Sequence, residues 1–189
     1  MKYLFRISLV LLFAVGMVSC HHKQIGPVDE AAVLHENEDQ LTNVIIYDVF
    51  TPPVAARIYG YTSLAAYEAI RYADPKYNSI TAQLRGFGAP PEPEQGKKYN
   101  YTLAATKAFF TVAHKVTFSI DTLKKYEDKV YARFKDNMDE ETYNRSVDFG
   151  EQIGKMILKR ANVDDYPQTR GKPKYLGSDD QGKWRPTPP

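Results

Sequence analysis

Cysteine occurs once in the 189 residues, at Cys20, and tryptophan once, at Trp184. A single cysteine excludes an intrachain disulfide and any multi-thiolate metal or redox centre. Excess charge is also lacking. The formal net charge of the whole chain is +2. Lys2 and Arg6 lie in the first stretch, and without them 23 basic residues face 23 acidic ones. Such a balance gives no electrostatic footing for nucleic acid. Histidines number four, at 21, 22, 35 and 114. There is no Gly-rich phosphate loop, no His-Glu zinc helix and no Gly-x-Ser-x-Gly elbow. These absences leave no catalytic, cofactor-binding or metal-binding residue to name.

Long apolar runs are scarce as well. One, from Ile7 to Val18, follows the basic start and leads into Met17-Val18-Ser19-Cys20. It falls short of the roughly 20 apolar residues that a spanning helix needs. Its pattern is that of a bacterial secretory signal over residues 1–19. The ending resembles a lipobox and makes Cys20 the lipid-attachment residue. A lipid on Cys20 would explain a lone thiol in an exported chain and hold it on an envelope membrane without a spanning segment. Residues 20–36 read as a tether, with His21 and His22 as bland linker residues.

What is present is a folding composition, 43% apolar and 25% charged, with 14 Tyr and nine Phe to build a core. The periodicity predicts an all-α domain over residues 37–162, a bundle of about five helices with irregular loops. The first is expected over Glu38–Phe50. The second begins at Thr51-Pro52-Pro53 and runs to Tyr72, proline in its first turn. Its faces are apolar nearly all round, which predicts a central, buried helix. A short turn of helix is expected around Ile80–Leu84, and an exposed loop at the Pro-rich Ala89–Gly96. Three more helices follow: Tyr101–His114, a helix capped by Ser119 and running to Asp136, and one capped by Asp139 and running to Asn162. Gly150 and Gly154, one turn apart, predict close helix contact. Residues 163–189 lose the period yet keep Tyr166, Tyr175, Leu176 and Trp184. They read as an ordered, extended aromatic and Pro-rich segment.

Few charges fall within the second helix. Arg57 and Glu68 are about 16 Å apart along its axis and cannot pair with each other. Each is expected in a structural ion pair, with Asp48 a candidate partner for Arg57. His114, at a helix end, reads as a capping or surface residue. Asp164-Asp165 and Asp179-Asp180 read as solvated acids.

The stretch from Tyr47 to Tyr61, YDVFTPPVAARIYGY, continuing into Ala65-Ala66-Tyr67-Glu68-Ala69, resembles a known group. So do Gln168-Thr169-Arg170-Gly171 and Gly182-x-Trp184-x-Pro186-Thr187-Pro188-Pro189. The group is the N-terminal region of bacterial lipoproteins of the vanadium-dependent haloperoxidase and type 2 phosphatidic acid phosphatase superfamily. Tyr47 departs from it, standing where the group carries His. The resemblance implies a mostly helical bundle. It also implies halide oxidation with peroxide or phosphate ester hydrolysis, with vanadate or phosphate held in a C-terminal half by Lys, Arg and His residues. Those motifs are absent here. The residue seven before Arg185, in the chain's one Arg-Pro, is Ser178, and Ser-Gly-His does not occur.

The reading that results is an N-terminal helical portion without the oxyanion motifs, inactive alone, with a missing C-terminal catalytic half as its partner. The tail segment would lead into that half, and Trp184 would anchor on it. The alternative is a non-enzymatic envelope lipoprotein, a helical binding or scaffold module with Tyr166–Trp184 as its contact patch.

Overall fold

Ala104, Ala105, Ala108 and Val112 share one fully buried face of a helix, and the chain is organised around that helix. The computed structural model describes residues 28–173 and 176–185. Among them are six α-helices, two 3-10 turns and no strand. The helices are α1 (Glu30–Tyr47), α2 (Pro52–Ile70), α3 (Tyr101–Val116), α4 (Ile120–Lys135), α5 (Glu140–Ala161) and α6 (Tyr166–Arg170). The 3-10 turns cover Arg71–Ala73 and Thr81–Gln83. The all-α expectation is met, with one short helix beyond the predicted five.

The central helix is α3, not α2. α3 buries residues around its whole circumference, from Thr102 to Ala113. Against α2 and α5 it builds a cluster with Ala65, Ala69, Phe149, Ile153 and Ile157. Against α1 and α2 it places Phe109 and Phe110 on Leu41, Val44, Val54 and Ile58. A third cluster joins Val33 of α1, Leu103 of α3, and Val130 and Phe134 of α4. α2 buries Val54, Ile58, Thr62, Ala65 and Ala69 but leaves Ala56, Gly60 and Ser63 exposed. An apolar composition marks a helix as fit for burial; whether a neighbour covers every face is decided by packing.

α5 approaches α3 through its glycines. A Cβ on Gly150 would lie 2.2 Å from the Ala104 carbonyl oxygen, and one on Gly154 2.6 Å from Thr111 Cβ. The close contact expected from the pair is therefore present, backbone against backbone at Gly150 and backbone against the Thr111 side chain at Gly154.

α1 begins at Glu30, inside the stretch read as a tether. Its buried positions are Val33, Asn37, Leu41, Val44 and Ile45. The period is helical throughout, but a polar residue holds one core position and hides it. Asn37 donates to Thr106 Oγ1 at 3.3 Å. Asp29 caps the helix through Ala32 N at 3.0 Å, as Asn100 caps α3 and Asp139 caps α5. Thr51 and Ser119 stand at N-cap positions but make no capping bond with their own side chains. The segment after α5 is not wholly extended, because α6 interrupts it.

Candidate functional site

Arg57 leaves α2 opposite the end of α5, and the return of the chain after Asn162 brings Asp164 to it. Arg57 Nε donates to Asp164 Oδ2 at 2.6 Å, and Nη2 to Asp164 Oδ1 at 3.3 Å. The same Nη2 donates to the carbonyl of Ala161 at 2.9 Å. A cation there meets the negative end of the α5 dipole and an orphan carbonyl together. Tyr61, one turn along α2, donates its hydroxyl to Asp164 at 3.1 Å. The guanidinium lies 4.4 Å from the Tyr166 ring centre and 5.1 Å from that of Tyr61. Asp164 also accepts the Tyr166 N–H at 3.1 Å. The preceding backbone makes this turn through Asp165, in the left-handed region at φ 61°.

Arg57 therefore has the structural ion pair expected of it, but not with Asp48. Asp164 is not a solvated acid, since its side chain is only 13% exposed in this pair. Burial alone would raise its carboxyl. Hydrogen bonds from Arg57, the Tyr166 N–H and Tyr61 outweigh that and hold it below its ordinary 3.8. A depressed folded-state value contributes stability that is present above the unfolded value and lost as pH falls through the folded one. The unfolding midpoint should thus drop below about pH 4. In Asp164→Asn the free energy of unfolding should start lower, by about 2 kcal/mol, and the midpoint should fall less steeply with acid. An unchanged slope in urea titrations across this range would count against the assignment. Some slope stays in the variant, because Glu127 titrates in the same direction.

Beside this junction lies a cleft of about 440 Å³. Tyr61 and Leu64 of α2 and Leu84 and Phe87 of the following loop wall it, with Arg85, Arg160 and Arg57 at its edge.

Asp48 is used elsewhere. Its Oδ2 accepts the N–H groups of Phe118 and Ser119 at 2.8 and 3.1 Å, and its Oδ1 the Ser119 hydroxyl at 2.5 Å. It thus ties the two residues before α4, and the Ser119 hydroxyl, to the α1–α2 corner. At that corner Phe50 N bonds to Ile45 O and Val49 N to Ile46 O, the two bonds that close a helix on a left-handed residue. Glycine commonly takes that position; here Val49 does, at φ 55° and 84% exposed. Ile46, Tyr47, Phe118 and Ile120 are exposed around it, a solvent-facing apolar corner.

Glu68 is fully buried. It accepts Arg71 Nε at 2.9 Å and the N–H groups of Ile80 and Thr81, both at 2.8 Å. His114 is not a plain surface residue: its Nε2 lies 2.8 Å from Glu127 Oε2, and Tyr131 donates to the other oxygen at 2.5 Å. Asp179 lies in an exposed pair with Arg185, as a solvated acid would. Trp184 is 65% exposed. The signal, Cys20, His21, His22, Tyr175 and Pro186–Pro189 lie outside the described residues.

Among the described residues no group of three His, Cys, Asp or Glu side chains could hold a metal ion, and no helix is long and apolar enough to cross a membrane. Nor do these residues fit a vanadate centre bonded to histidine. His35 is exposed on α1, His114 is turned to Glu127, and neither lines the arginine-edged cleft.

No family profile matches the sequence, and no curated protein matches it. A solved structure does: the crystal structure of a bacterial vanadium-dependent iodoperoxidase, described as the first, is 37% identical with a TM-score of 0.69. The match covers 82% of this chain and 37% of the iodoperoxidase. Nearly two thirds of that protein therefore has no counterpart here. The helices gathered around α3 have the fold of part of a vanadium haloperoxidase.

Proposed function

We propose that this chain is the N-terminal helical portion of a vanadium haloperoxidase or type 2 phosphatidic acid phosphatase-like lipoprotein. It carries no catalytic oxyanion centre of its own and has no turnover alone. A catalytic half, supplied by residues beyond these 189, would bring the cations and histidines that halide oxidation or phosphate ester hydrolysis requires. The observation that carries this reading is the 37% identity over 82% of the chain against little more than a third of the iodoperoxidase. Two features support it. Neither described histidine stands with the arginines of the cleft, whereas the centre that the resemblance implies needs histidine beside its converging cations. The exposed corner around Tyr47, Val49 and Phe118 suits a chain that packs on further polypeptide. On the same reading Cys20 carries the lipid and holds the protein on an envelope membrane.

The test uses protein prepared from bacterial cells. Assays with iodide or bromide, hydrogen peroxide and vanadate, and with p-nitrophenyl phosphate, should give no more product than the blank without protein. Turnover above that blank sinks the proposal. In the same cells the wild-type chain should sediment with membranes and Cys20→Ala should not. Equal partitioning of the two would rule out the anchor.

A further inference from the structure

We infer that the cleft between α2, the loop at Phe87 and the end of α5 binds an amphipathic oxyanion: a phosphate or carboxylate head on a short apolar tail. This inference stands apart from the proposed function and uses none of the chemistry of a missing half.

The volume of about 440 Å³ lies within the range of small-molecule sites. Leu64, Leu84 and Phe87 give the cleft apolar walls. At its lip, Gly60 leaves open space, since a Cβ there would meet nothing within 4 Å. Three guanidiniums stand at the edge against one carboxylate, Asp164, which Arg57 already holds at 2.6 Å. Among the described residues Arg85 and Arg160 form no ion pair, and Arg160 makes one hydrogen bond, to the Val163 carbonyl at 3.2 Å. Two uncompensated cations beside an apolar wall attract an anion, and the wall lowers the local dielectric that would otherwise weaken them.

Arg160 also lies close to the loop. Gly86 has φ +85°, and a Cβ on it would lie 3.0 Å from both Cδ and Nε of Arg160. The positive φ favours glycine there, and the bare backbone lets the loop lie close along the Arg160 side chain, which brings the guanidinium beside the apolar wall. Head and tail are both required. A bare inorganic anion would leave Leu84 and Phe87 uncovered, and a neutral apolar molecule would leave the arginines without a counter-charge.

Hexyl phosphate is the probe, titrated into the whole chain and followed by calorimetry. Saturable binding is expected with Kd on the order of 1 mM or tighter. Inorganic phosphate and hexanol, the head and tail alone, should each bind at least about tenfold more weakly. Gly60→Leu places a side chain at the lip, where a Cβ meets nothing within 4 Å, and should abolish binding at unchanged or raised melting temperature. Arg85→Ala, on an exposed side chain, should weaken it by about tenfold with the melting temperature unmoved. Sedimentation with phosphatidylglycerol vesicles, with Cys20→Ala in every protein compared so that no lipid anchor contributes, separates the two sources of such a ligand. A loss of sedimentation in Gly60→Leu relative to wild type would assign a lipid headgroup, and no difference would assign a soluble amphiphile. Hexyl phosphate binding no tighter than inorganic phosphate overturns the inference. So does binding that survives both Gly60→Leu and Arg85→Ala.

Discussion

Glu68→Ala should cost about 3–5 kcal/mol, the range for removing one partner from a buried ion pair. The carboxylate sits at 0% exposure and serves two structures at once. One oxygen accepts from Arg71, whose side chain is itself only 13% exposed. The other accepts the Ser79 hydroxyl at 3.1 Å and the N–H groups of Ile80 and Thr81. Alanine removes all of these acceptors and leaves Arg71 Nε and two backbone donors without a partner, and the guanidinium without its counter-charge. The loss should appear in the urea midpoint. It should also appear as faster amide exchange at Ile80 and Thr81, because the carboxylate ties the long loop between α2 and α3 to the bundle. Glu68→Gln keeps an oxygen for the backbone donors and should lose less, mainly the charge opposite Arg71. A cost below about 1 kcal/mol for the alanine variant would show that water replaces the carboxylate and that the loop does not depend on it.

Gly150→Ala should destabilise by about 3 kcal/mol, the upper end of typical overpacking costs. Helix propensity alone points the other way, by roughly 1 kcal/mol in favour of alanine. The two effects are of opposite sign, so the sign of the measured change decides between them. A Cβ at this position would lie 2.2 Å from a backbone oxygen and 2.8 Å from Lys107 Cβ. Neither atom is the tip of a flexible chain, so α3 and α5 would have to move apart and uncover Ile153 and Val112. Gly154→Ala meets the Thr111 side chain at 2.6 Å and the Ala108 carbonyl oxygen at 3.0 Å. The Thr111 contact can be eased in part by a shift of that side chain, so the expected cost is smaller. Thermal unfolding of both variants checks the order. A Gly150→Ala protein as stable as wild type would mean that the helices separate without penalty.

The residue pattern carried the elements well, because periodicity, caps and breakers act within a turn or two of their own position. Asp139 and Pro52 marked helix starts correctly, and Gly150 and Gly154 marked the close contact. The start of α1 was hidden because Asn37, a polar residue, holds a core position through Thr106, which is 69 residues away. The candidate site was legible only in part. Arg57 stood out as a charge in an apolar helix, but its partner did not, and the cleft beside it left no pattern at all. Its walls come from α2, a loop and the end of α5, segments whose proximity is not encoded in any local spacing.

By itself, then, the sequence determined that the chain is helical and where most of its helices begin. Only the tertiary structure decided that α3 rather than α2 is central, that Arg57 pairs with Asp164 across 107 positions, and that Asp48 instead holds the backbone entering α4. The reason is physical. Apolar character states that a helix can be buried, and a charge states that it needs a partner. Which neighbour meets either demand depends on the path of the loops and on backbone approach at the small residues, and these are settled only when the helices pack.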